Sequence, residues 1–99
     1  MRRLLVEGSG CALCGASWGN VWRDVEGTRL FFCCEVCAVG FTNFVERAKR
    51  DAGWSKVDRV RIVGDFRGRK GSVESGGERR VYFFTLNSDG SLRTFLRTE

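Results

Sequence analysis

Apolar and polar residues alternate along "NVWRDVEGTRLFF" (residues 20–32), and "EGT" interrupts the alternation at its centre. A period of two broken by a glycine-containing turn predicts a hairpin, with strands near 20–25 and 28–33. From Cys34 or Glu35 to Arg50 the period becomes helical, with Val36, Phe41, Phe44, Val45 and Ala48 on one side. Glu35 in the first turn and Lys49 and Arg50 in the last suit the helix dipole, and Gly53 is a natural stop. Beyond it, "VDRVRIVGDF" (57–66), "RRVYFFTL" (79–86) and "SLRTFLR" (91–97) read as three strands, the last two joined through "NSDG". The glycine-rich "RGRKGSVESGGE" (67–78) reads as a long loop. At the other end, "RRLLVEG" reads as a short first strand and "CALCG" as a tight turn closed by Gly15.

The expected order is knuckle, hairpin, helix, then a three-stranded antiparallel sheet. This is an α+β arrangement. All five cysteines precede Gly53. Residues 1–54 therefore read as a cysteine-bearing module and residues 55–99 as an antiparallel β extension, together forming one compact domain.

Composition sharpens this picture. A chain of 99 residues buries roughly 60–65% of its unfolded surface, so its core alone confers modest stability. Five cysteines offer a staple, but their odd number leaves one unpaired in any disulfide scheme, and there is no histidine. The opening "MRRLLVEGSGC" holds only "LLV" as an apolar run, against the roughly 7–15 residues of a signal h-region. No stretch approaches the ~18 apolar residues of a membrane span. The reading is a cytoplasmic protein without membrane contact, where clustered thiols hold metal or do redox work. The net charge of +5 is spread evenly, permitting a nucleic-acid partner without demanding one.

Zinc takes four N or S ligands in a tetrahedron. In "CALC", Cys11 and Cys14 on a tight turn can chelate one ion. The hairpin carries in a second pair from "FFCCEVC", where the helix start also lowers the cost of a thiolate. That pair is Cys33 with Cys37 as C-x3-C, or Cys34 with Cys37 as C-x2-C. Either way, one zinc ion per chain is expected.

"FFCCEVCAVGF" (31–41) resembles the aromatic-Phe-Cys-x3-Cys-x3-Phe signature of the TRASH and YHS families, small treble-clef-like zinc domains. Cys33, Cys37 and Phe41 fall on that pattern. "DVEGTRLFF" is similar to the hairpin preceding it, and "CALCG" to the superfamily's knuckle. A zinc protein of the archaeal and eukaryotic large ribosomal subunit shares the layout, down to a tryptophan after the helix like Trp54. Covering residues 10–54, the resemblance implies that Cys11, Cys14, Cys33 and Cys37 bind metal, leaving Cys34 as a spare or competing thiol. Trp18, Trp22, Phe31, Phe32, Phe41 and Phe44 are expected to form the core that keeps water from the metal.

Enzyme chemistry finds little support. There is no imidazole base, "CALC" precedes a hairpin where a redox motif would open a helix, and four thiolates leave a zinc no open position. "GDFRGRKGS" places its lysine before the last glycine, unlike a phosphate loop. Two functions remain. The first is a TRASH-like zinc protein whose site is structural or handles and senses metal. The second is a zinc-stabilised RNA-binding module using Arg67, Arg69, Lys70, Arg79 and Arg80 on a basic hairpin, with Tyr82 or Phe83 as a stacking face. A protein partner fits equally well.

Overall fold

The computed structural model describes residues 4–6, 10–65 and 67–98. The alternating segment forms the expected hairpin, β2 (Val21–Val25) paired antiparallel with β3 (Thr28–Phe32). Its turn residues Glu26 and Gly27 both have positive φ, 51° and 77°, as the primed hairpin turns require. The Glu26 carboxylate accepts from Lys49 Nζ at 2.8 Å and from the Val57 N–H at 3.1 Å, tying the hairpin to the helix end. This contact with Glu26 is the main reason the Lys49 pKa is raised.

Helix α1 (Glu35–Ala52) follows with Cys34 as N-cap and Gly53 in the left-handed conformation as its stop. It buries Cys37, Ala38, Gly40, Phe41, Phe44, Val45 and Ala48. Val36, expected on this side, is exposed. The buried stripe begins one position later because Cys37 is drawn to the other cysteines.

The C-terminal region differs from expectation. The sheet has five strands in the order β1-β4-β5-β6-β7. These are β1 (Leu5–Val6), β4 (Arg59–Asp65), β5 (Gly68–Ser75), β6 (Glu78–Leu86) and β7 (Leu92–Arg97). β1 pairs parallel with β4, and all other pairs are antiparallel. β5 lies within the segment expected to be a loop. Its internal glycine serves packing: a Cβ on Gly71 would sit 2.2 Å from Phe44 Cζ. Glycine there lets the helix aromatic rest on the sheet.

Phe44 is the centre of the joint between helix and sheet. It stacks on Phe84 at 4.3 Å and meets Tyr82 edge-on at 6.3 Å. Val60, Val73, Tyr82 and Phe84 form the sheet's inner face, all fully buried. They belong to one hydrophobic cluster with Phe32, Phe41, Cys11 and Leu13 from the N-terminal half. The six aromatics expected around the cysteines divide: Phe32, Phe41 and Phe44 are buried, whereas Trp18 is 70% exposed and Trp22 is 46% exposed. Trp22 instead packs edge-on to Phe31 on the outer side of the hairpin. No helix among the described residues is long and apolar enough to cross a membrane.

Candidate metal centre

The knuckle is built by short-range hydrogen bonds. Gly15 N–H donates to Cys11 C=O at 2.8 Å, and Cys11 N–H to Ala16 C=O at 2.9 Å. Ala12 N–H donates to Phe31 C=O at 2.9 Å, which fastens the knuckle to β3. The following loop presses on the strand end: a Cβ on Gly19 would fall 2.2 Å from the Cys33 carbonyl oxygen. Only glycine permits that approach.

These constraints bring the Sγ atoms of Cys11, Cys14, Cys33 and Cys37 within 4.8 Å of one another. Cys14 and Cys33 are 3.5 Å apart, Cys33 and Cys37 are 3.5 Å apart, and Cys14 and Cys37 are 3.9 Å apart. None of the five cysteines is in a disulfide. Cys34, exposed at the N-cap, stands outside the cluster. Residues 33 and 34 form the bend between β3 and α1, and there the Cys33 sulfur joins the other three whereas that of Cys34 does not.

The four sulfurs lie close enough to hold a metal ion. Burial works against ionising Cys11, but backbone hydrogen bonds from Cys14, Cys33 and Leu13 outweigh it and hold its pKa below the ordinary thiol value. Cys33 is pushed up to about 12, first by burial and next by its contact with Cys14. Burial, the Cys33 contact and the charges of Cys11 and Cys14 raise Cys37 further. Cys11 therefore ionises more readily than an ordinary thiol, whereas Cys33 and Cys37 resist following it. A bound metal ion reverses that resistance by placing positive charge among the sulfurs. The Cys34 thiol is lowered, mainly by the Cys37 N–H. A cavity of about 360 Å³ beside Cys37 is lined by Arg69 and Arg93, which adds positive charge next to the cluster.

The five basic residues proposed as an RNA contact do not share a surface. Arg67 lies in the β4–β5 turn and pairs with Asp65 at 3.0 Å. Arg69 and Arg80 stand in register with Phe84 and Val73 on the helix-facing side, where Arg80 lies over the Trp54 ring. Lys70 and Arg79 face the opposite way, in register with Phe83 and Glu74. Tyr82 is fully buried, its hydroxyl donating to Asp51 at 2.9 Å, while Phe83 is partly exposed on the outer face. Sequence reasoning passed over Arg59 and Arg61, which join Lys70 and Arg79 on that outer face. Their signal was present in "RVRIV", where arginines two positions apart alternate with valine.

No curated protein and no solved structure shows significant similarity to this chain. One family model does match, over residues 8–98, a span that includes the four clustered cysteines, the helix and strands β2 to β7. The chain is a member of the Ta0938 family.

Proposed function

We propose that the protein is a small, non-catalytic zinc-binding protein of treble-clef, TRASH-like type. In this reading Cys11, Cys14, Cys33 and Cys37 hold one Zn²⁺ that stabilises the N-terminal half. The observation that carries it is the sulfur spacing. A tetrahedron with Zn–S bonds of about 2.3 Å has edges of about 3.8 Å, and the three hydrogen-bond-range S···S separations run from 3.5 to 3.9 Å. The element order supports the treble-clef assignment: a knuckle supplies two thiols, a strand end the third and a helix start the fourth. Four thiolates complete a zinc's coordination, which suits a structural ion and leaves no position for substrate water.

A metal-handling role is a second reading, favoured by exposure at the site. Cys14 is itself exposed and Cys34 offers a further exposed thiol next to it, so an incoming ligand has access to the ion.

Native mass spectrometry of protein purified without added metal tests both. One zinc per chain supports the proposal, and metal-free folded protein with a dispersed spectrum defeats it. Zinc transfer to a competing thiolate chelator then separates the roles. A structural site exchanges over hours, whereas a handling site exchanges quickly and slows in Cys34→Ser.

A further inference from the structure

The sheet has two faces, and α1 covers only one. On the uncovered face the register sets out three rows across the strands. The first is Leu5, Arg59, Glu74 and Arg79; the second is Arg61, Ser72 and Val81; the third is Val63, Lys70, Phe83 and Leu96. Within these rows four cations face one carboxylate, Glu74; Asp65, next along β4 on the same face, pairs with Arg67. Arg61, Lys70 and Arg79, with Val63, Ser72 and Val81, line a cavity of about 300 Å³.

These cations differ from five others on the molecule. Arg23, Lys49, Lys56, Arg67 and Arg80 each pair with a carboxylate. Among the described residues Arg59, Arg61 and Lys70 form no ion pair, and Arg79 Nε donates only to the Ser72 hydroxyl, at 2.9 Å. Apart from Lys70 the third row is apolar: Val63 is 49% exposed and Leu96 is 58% exposed. Between them Phe83 rests over β5, where a Cβ on Gly68 would meet its ring at 2.6 Å. Gly68 keeps that ring seated on the open face.

We propose that this open sheet face binds single-stranded nucleic acid. Arg59, Arg61, Lys70 and Arg79 engage the phosphates, and Phe83, flanked by Val63 and Leu96, receives a base. Charge complementarity selects a polyanion. The apolar row with an aromatic ring at its middle selects one with unstacked bases, since stacking platforms bind single strands irrespective of sequence. A duplex, whose bases are already stacked, gains only the phosphate contacts. The metal centre lies apart from this face, so the inference stands independently of the metal's identity.

The test is fluorescence anisotropy of the full chain, as purified with its metal, against a labelled mixed-sequence 12-mer RNA. The same DNA sequence in single- and double-stranded form, and phosphatidylserine vesicles, serve as competitors across a potassium chloride series. Binding of the single strand should weaken with salt at a log–log slope of roughly −0.7 per phosphate neutralised. Arg61→Ser/Lys70→Ser/Arg79→Ser should flatten the slope by about two units and lower low-salt affinity at least tenfold. The charge-matched control Arg23→Ser/Lys56→Ser/Arg67→Ser should change affinity less than threefold. Phe83→Leu, which keeps the apolar volume, should weaken single-strand binding about tenfold and duplex binding little. The proposal is overturned by no binding at low salt, by equal losses in both triple variants, or by tighter binding of duplex or vesicles than of the single strand. Metal content and amide dispersion of each variant establish that it is folded; if the triple variant is not, Lys70→Ser alone, expected to remove about 0.7 unit of slope, decides.

Discussion

The two halves of this chain solve the same problem with different means. In the N-terminal half, β2 and β3 form a two-stranded sheet of their own, and an isolated hairpin is marginal in water. It is held by a sulfur cluster, by the Glu26 contacts to Lys49 and Val57, and by Phe32 packed against Phe41 at 5.5 Å. In the C-terminal half, four strands extended at one edge by β1 bury Val60, Val73, Tyr82 and Phe84 beneath one face of α1. The difference shows how a domain of this size can combine a region that an ion held by its clustered sulfurs would cross-link with one stabilised by apolar packing. Helix α1 belongs to both: its first turn carries Cys37 and its middle carries Phe44.

Removing the metal should produce the largest effect. Structural zinc contributes about 10–16 kcal/mol in isolated finger peptides, beyond what hairpin packing alone supplies. Chelation of zinc-loaded protein should collapse the amide dispersion of residues 11–40 while β4 to β7 retain theirs. Acid should act in the same direction, because protons compete for the thiolates. Loss of structure across the whole chain would break the comparison by making the halves one cooperative unit, and an unchanged spectrum after confirmed metal loss would remove the metal from the account.

The complementary perturbation is Phe44→Ala, expected to cost about 3–5 kcal/mol as a fully buried aromatic is removed. Urea unfolding of the metal-loaded variant should show the loss in the strands of the sheet, with metal content preserved. A loss under 1 kcal/mol would mean that the helix–sheet joint is not centred on this ring.

A smaller effect is tied to pH. Burial, then the hydrogen bond to Asp51, push Tyr82 up to about 12. The folded state therefore favours the protonated phenol, and this contribution is fully present below the unfolded value near 10. It is lost as pH rises from about 10 to 12. Tyr82→Phe should cost about 1 kcal/mol at neutral pH and should flatten the fall in stability over that window. Parallel pH curves for parent and variant would contradict the assignment.

The smallest expected effect belongs to Cys34→Ser. It should keep the metal and change stability by no more than about 0.5 kcal/mol, as exposed substitutions do, whereas Cys33→Ser should lose the metal. Metal analysis of the purified variants decides, and the reverse pattern would reassign the third thiol.

Much of the local structure was legible in the sequence because its causes are local. The hairpin follows from a period of two around "EGT", and the helix from a period near 3.6 ended by Gly53. The knuckle and the helix-start cysteines are evident from spacing, and so is the possibility that their sulfurs meet. What spacing left open was whether Cys33 or Cys34 joins them. The bend between β3 and α1 decides that, by turning the Cys33 sulfur towards Cys14 and Cys37. β5 reads as a loop in the sequence because glycines in "RGRKGSVESGGE" serve two purposes that sequence alone does not separate. Gly76 and Gly77 make a turn with φ of 57° and 89°, while Gly71 and Gly68 sit inside the strand to admit Phe44 and Phe83. The two rings come from residues 27 positions before Gly71 and 15 positions after Gly68. The basic residues divide for the same reason. Arg69 and Lys70 are neighbours in sequence, yet the period of two sends them to opposite faces, and only pairing with β4 places Arg59 and Arg61 beside Lys70. Local propensity and spacing determine elements and candidate ligands. Which side chains face one another depends on register and on contacts between distant segments, and those exist only in the folded chain.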